Sequence, residues 1–140
     1  MKLKLILTAA ATVLLAGCVA PKMNTASGGP EVTINAPLAK VKAEVASAIV
    51  NAGYNLTHSD DLTIEGKKEG GMFLTAMTAS PANPTSFKVT RANLIQVDGG
   101  VRVLLRCFLT AGGRDDGEIT GARQQEQALL DKIKSKCEAK

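Results

Sequence analysis

The 140-residue chain carries 17 Lys and Arg against 13 Asp and Glu, a formal net charge of +4. That is one domain's length, with too small a positive excess for a nucleic-acid groove. With three Phe, one Tyr, no Trp and a single His, it lacks stacking platforms for bases or sugars and the ligands of an ordinary zinc site, so no nucleic acid, metal or organic cofactor is expected.

Lys2 and Lys4 form a positive flank, and Leu5 to Leu15 is an apolar run interrupted only by Thr8 and Thr12. The run is short of the about 20 apolar residues that cross a bilayer core. Small residues Ala16 and Gly17 follow, which completes the pattern of a secretory signal over residues 1–17. Leu15-Ala16-Gly17-Cys18 resembles the lipobox of bacterial lipoproteins at all four positions. The resemblance implies cleavage before Cys18 and lipid on its sulfur and new amino terminus. Val19, in place of the Asp that retains such proteins at the inner membrane, implies the outer membrane, facing the periplasm. Several acyl chains anchor stably where one does not.

Cleavage leaves 123 of the 140 residues and removes Lys2 and Lys4, so 15 basic side chains face 13 acidic ones, a net of +2. Residues 18–30 are rich in Ala, Pro, Asn, Thr, Ser and Gly and read as a lipidated linker, spanning on the order of 20 Å as a flexible coil. Residues 31–140 are expected to form a single domain.

Glu31 to Asn35 alternates as a short strand. Pro37 opens a helix whose Leu38, Val41, Val45, Ile49 and Ala52 recur at three- and four-residue steps, and Gly53 closes it. Tyr54, Leu56 and His58 alternate with polar neighbours as a strand. Ser59-Asp60-Asp61 is a turn, and Leu62 to Glu65 continues or restarts the strand. Gly70-Gly71 marks another turn, Met72 to Thr78 a further strand, and Pro81 and Pro84 a loop over residues 79–85.

Asp98-Gly99-Gly100 between Phe87 to Val97 and Val101 to Thr110 is a hairpin signal. In the second arm Val101, Val103, Leu105, Cys107 and Leu109 point to the core. Arg102, Leu104, Arg106 and Phe108 point the other way. An even turn adds Arg91, Asn93 and Ile95 to that second face, and an odd one does not. Ala111 to Gly117 reads as a loop. From Glu118 or Thr120 a second helix runs to the C-terminus with Ala122, Leu129, Leu130, Ile133 and Cys137 on its apolar side. Lys132, Lys134 and Lys136 complement its dipole. The fold class is α+β: an antiparallel sheet of about four to five strands with two helices packed on one face.

Cys107 and Cys137, an even pair in an oxidising compartment, are expected to form a disulfide. Its loop of roughly 30 residues is worth about 3–4 kcal/mol in the chain-entropy account. Nucleophilic catalysis needs a base beside the nucleophile, and His58, in a strand, supplies none; no enzyme is expected. Asp60-Asp61 and Asp115-Asp116 suit turns, where Asp bonds its own backbone. Ala111 to Arg114 lacks the spacing of a phosphate loop. Asn55-Leu56-Thr57 is a chance sequon.

The candidate interaction face is Arg102, Arg106 and Phe108, since arginine beside aromatic groups is enriched at interfaces. The domain also looks like the helix-on-sheet domains of small lipoproteins that accompany envelope assembly or secretion machinery. That likeness implies a non-enzymatic role in protein contacts, with an envelope protein as partner and the membrane reached through Cys18. The alternative is binding of a lipid or cell-wall fragment between sheet and helices.

Overall fold

The computed structural model describes residues 22–71, 85–111 and 114–139. The signal, Cys18 and the strand expected from Met72 to Thr78 lie outside the described residues. Among the described residues six strands form one antiparallel sheet: β1 (Glu31–Ile34), β2 (Asn55–Ser59), β3 (Thr63–Glu69), β4 (Ser86–Val97), β5 (Gly100–Ala111) and β6 (Arg114–Glu118). Helix α1 (Leu38–Asn51) follows β1, and α2 (Arg123–Glu138) ends the fold after a 3₁₀ turn at Thr120–Ala122. The architecture is the expected α+β arrangement.

The sheet order is β1-β5-β4-β3-β2, with β6 beside β1 on the same edge of β5. β1 pairs with the first residues of β5, Val32 opposite Val103, and β6 with its last, Ala111 opposite Arg114. The hairpin turn contains two residues, because Val97 pairs directly with Gly100. Gly100 has φ +149°, and a Cβ there would run into the carbonyl of Ile34 where β1 ends. Only glycine lets the hairpin start this close to the neighbouring strand.

One side of the sheet and one stripe of each helix make the core. Val41, Val45 and Ile49 of α1 and Leu130, Ile133 and Cys137 of α2 are buried against Ile34, Ile64, Ala92, Leu94, Val101, Val103 and Leu105. Pro37 stands just before α1, its carbonyl accepting from the Lys40 and Val41 amides, and Gly53 (φ +83°) ends the helix with its amide on Val50. The C-terminal turn of α2 is tied to α1 by the Lys40 ammonium, which donates to the Cys137 carbonyl at 2.7 Å.

Three expectations need correction. The segment expected as a loop from Ala111 to Gly117 instead carries β6. Its glycines and aspartates are poor strand formers, but edge pairing needs only backbone groups, and the Ile119 amide continues the contact onto the Cys107 carbonyl at 2.8 Å. The expected linker is folded at its end: Pro30 is fully buried, its carbonyl accepts from the Leu105 amide, and the Glu31 carboxylate holds the Ala26 and Ser27 amides.

The third correction is the disulfide. Cys107 and Cys137 are both free thiols. Cys107 lies on β5 beneath Glu126, whereas Cys137 is eleven residues further along α2, roughly 16 Å at the helical rise. Both cysteines face the core, but at opposite ends of the helix. Reductant is therefore expected to leave the thermal midpoint unchanged, and both thiols should be alkylated in the unfolded, unreduced protein. A mass two hydrogens short would restore the bridge.

Candidate functional site

The two-residue turn decides the composition of the sheet face that the helices do not cover. Residues in register across β4 and β5 share a side, so Val89 stands opposite Phe108, Arg91 opposite Arg106, Asn93 opposite Leu104 and Ile95 opposite Arg102. Glu65 of β3 joins them opposite Arg91. The expected candidate residues Arg102, Arg106 and Phe108 are thus together, with Arg91, Asn93 and Ile95 beside them. Among the described residues no helix lies on this side.

Two arginines directly opposite each other repel. Arg91 is relieved by Glu65, donating from Nε at 3.0 Å and Nη2 at 2.8 Å to one carboxylate oxygen. The other oxygen accepts from the Thr57 hydroxyl at 3.1 Å. Burial pushes the Glu65 carboxyl up, but these bonds and the guanidinium charge outweigh it and leave its pKa below the usual range. The Arg91 guanidinium also lies 5.3 Å from the centre of the Phe108 ring. Arg106 has no ion-pair partner among the described residues, and the Arg102 Nε is buried without a hydrogen bond. Lys67 adds a further cation, 3.8 Å over the Phe87 ring. The face therefore joins ring and aliphatic surface with the cations Arg91, Arg102, Arg106 and Lys67, among which the register also places the carboxylates of Glu31, Glu65, Glu69 and Glu118.

The remaining sequence candidates are accounted for by local structure. His58 Nε2 lies 2.8 Å from Asp60 Oδ2 on an exposed turn, and Asp60 Oδ1 accepts from the Leu62 and Thr63 amides. The His58 contact first, then those two amides, hold the Asp60 carboxyl down at about 2. This is the turn role expected of Asp60; Asp61 meets the Lys42 ammonium at 3.1 Å. The segment from Gly112 to Gly113, the centre of the weighed anion nest, lies outside the described residues.

No protein-family model matches the chain, and no curated protein matches it in sequence.

On the helix-covered side, Glu126 was missed. It is 4% exposed, yet among the described residues neither carboxylate oxygen has a well-formed hydrogen bond. A signal existed: Glu126 lies four residues before Leu130 and four after Ala122, on the apolar stripe read for this helix. Below it, the Cys107 thiol lies 3.3 Å from the Thr90 hydroxyl. Burial pushes Cys107 up to about 11, so it is a protonated, unreactive thiol rather than an activated nucleophile. Among the described residues no cluster of three metal-ligating side chains forms, and no helix is long and apolar enough to cross a membrane.

Proposed function

We propose that this protein is a lipid-anchored envelope lipoprotein that binds an acidic surface of a partner protein through the uncovered face of its sheet and catalyses no reaction. The observation that carries the contact is the Arg91–Arg106 pair, two cations in register of which only Arg91 has an ion-pair partner, Glu65, among the described residues. A partner carboxylate at Arg106 removes that repulsion, while Phe108, Leu104 and Ile95 supply desolvated surface around it. The anchor is the lipid on Cys18, at the outer membrane and facing the periplasm, as the lipobox and Val19 imply. The non-enzymatic reading is supported by the exposed His58–Asp60 turn and by the protonated Cys107.

A photo-crosslinker at position 106 in growing cells should capture an envelope protein. Arg102→Glu with Arg106→Glu should cut that affinity by about thirtyfold or more, since losing close interfacial charge pairs costs about 2–5 kcal/mol. Adding Phe108→Ala should abolish capture while circular dichroism stays native. Undiminished crosslinks in these variants would refute the contact. Separately, Cys18→Ala should end acyl labelling and leave unprocessed precursor; a mature, membrane-bound protein without lipid would refute the anchor.

A further inference from the structure

We propose that Glu126 is a pH-operated latch. With its carboxyl protonated it pins residues 117–126, which join β6 to α2, against β5; its ionisation releases them while the rest of the fold stays closed. The latch lies on the helix side of the sheet and does not depend on the protein-contact reading.

The segment has no other anchor in the core. From Gly117 to Leu129 Glu126 is the one buried residue, and full apolar burial resumes only at Leu130. Ile119 and Ala122 are only partly covered, and the 3₁₀ turn buries nothing. The Arg123–Glu118 ion pair is internal to the segment. What else holds it is the pairing of β6 with the end of β5. Past Glu126 the helix is well tied. The Gln127 side chain exchanges two hydrogen bonds with the Glu31 backbone, at 3.2 and 3.3 Å, and Leu130, Ile133 and Cys137 belong to the core. Stretches with few buried apolar contacts open at low cost, so the boundary between the loose and the fixed part of α2 falls at Glu126.

Glu126 also stands where the sheet edge is broken. Pro30, just before β1, accepts from the Leu105 amide at 3.1 Å, but proline has no N–H to return to the Leu105 carbonyl. Pairing on this edge resumes at Ile119, whose amide reaches the Cys107 carbonyl at 2.8 Å. Leu105 and Cys107 both turn their backbone to this edge, so the Leu105 carbonyl and the Cys107 amide lie in the break. The Glu126 carboxyl lies against the Cys107 amide and thiol there. A protonated carboxyl offers one donor besides its acceptors, which suits a break with one carbonyl and one amide. A carboxylate accepts only.

Both Glu126 oxygens are sealed from solvent without a well-formed hydrogen bond among the described residues. A charge so placed is costly, and the group neutralises instead. Burial is the main cause and the Glu118 charge of β6 adds to it; Cys107 and Arg123 oppose it, as does the dipole of the first turn of α2. The Tyr54 phenol, pushed up to about 12 by burial, Cys107 and Glu126, stays neutral. Neither α1 nor β1 supplies a charge acting on Glu126. The closed carboxyl therefore keeps its proton above the ordinary 4.5, and the released one returns to that value. Closure is complete in acid, weakens as pH rises past the ordinary value, and levels off once the closed form itself ionises.

Hydrogen–deuterium exchange on the full-length protein, read by mass spectrometry and corrected for the intrinsic pH dependence of amide exchange, tests the latch. From acid to mildly alkaline pH, peptides over 117–126 should lose protection by up to about tenfold per pH unit within that window. Peptides over 41–49, 101–105 and 130–137 should keep theirs. Glu126→Gln keeps a neutral side chain with a donor and should hold the protection of 117–126 constant across the range. Constant protection of 117–126 in the unmodified protein overturns the proposal. So does equal loss in all four regions, or the same pH-dependent loss in Glu126→Gln. The comparison of regions within the unmodified protein stands even where the variant fails to fold.

Discussion

Gly66→Val is expected to lower the free energy of unfolding by about 3 kcal/mol, and Gly66→Ala by about 1–2 kcal/mol, in urea titrations followed by circular dichroism. Gly66 sits in β3 on the helix side, opposite Thr90. A Cβ at this position would lie 2.5 Å from Ile49 Cγ2 and 3.0 Å from Tyr54 Cβ. Neither neighbour is the free end of a flexible chain. Ile49 is a buried residue in the last turn of α1, and the Tyr54 Cβ is fixed to the backbone where β2 begins. A side chain at 66 therefore lifts the end of α1 from the sheet, and core packing tolerates no such displacement without loss of contacts. The effect should grow with each added carbon, because β-branching leaves valine few rotamers with which to escape. Ile49 and Tyr54 also line a cavity between the helices and the sheet, so the same variants should alter tyrosine fluorescence before they unfold the chain. A Gly66→Val protein as stable as the parent would show that α1 does not rest on the sheet at this point.

The second large effect has the opposite sign. Glu126→Leu is expected to raise stability at neutral pH by about 1–3 kcal/mol, because a buried polar group without partners costs about that much. The glutamate is 4% exposed and neither oxygen has a well-formed hydrogen bond among the described residues, so the fold carries an uncompensated group. The pH dependence follows from the direction of its shift. Its pKa in the folded state is raised above the ordinary 4.5, chiefly by burial. The folded state then holds the proton more tightly than the unfolded chain. Stability contributed by this group is full at acid pH, declines as pH rises past the unfolded value, and levels off above the folded one. Asp60, Glu31 and Glu65 are shifted downward and act in reverse, losing stability only in acid. Glu126→Gln should remove the decline that begins above the ordinary carboxylate value and leave the acid limb intact. A thermal midpoint with an unchanged slope against pH in that variant would show that Glu126 is solvated or paired in the folded protein.

The elements were legible in the sequence because hydrophobic period is a local property. Steps of three and four residues through Val41, Val45 and Ile49 placed α1, and alternation through Val101, Val103 and Leu105 placed β5 and its core face. Asp98-Gly99 announced the hairpin by turn chemistry, and these signals together sufficed for the α+β class. Periodicity says which side of an element is inward, but not what stands opposite. Cys107 and Cys137 both point inward, yet they face different ends of α2 because the packing of the helix on the sheet decides which turn lies over which row. The same is true of β6, whose polar residues carry no strand pattern and are held by backbone bonds to an edge that exists only once β5 is in the sheet. It holds also for Glu126, whose place on an apolar stripe is visible in the sequence. That its carboxylate is sealed without a well-formed hydrogen bond follows only from the three-dimensional arrangement of β4, β5 and α2, because hydrogen-bond satisfaction depends on distances that no one-dimensional pattern contains.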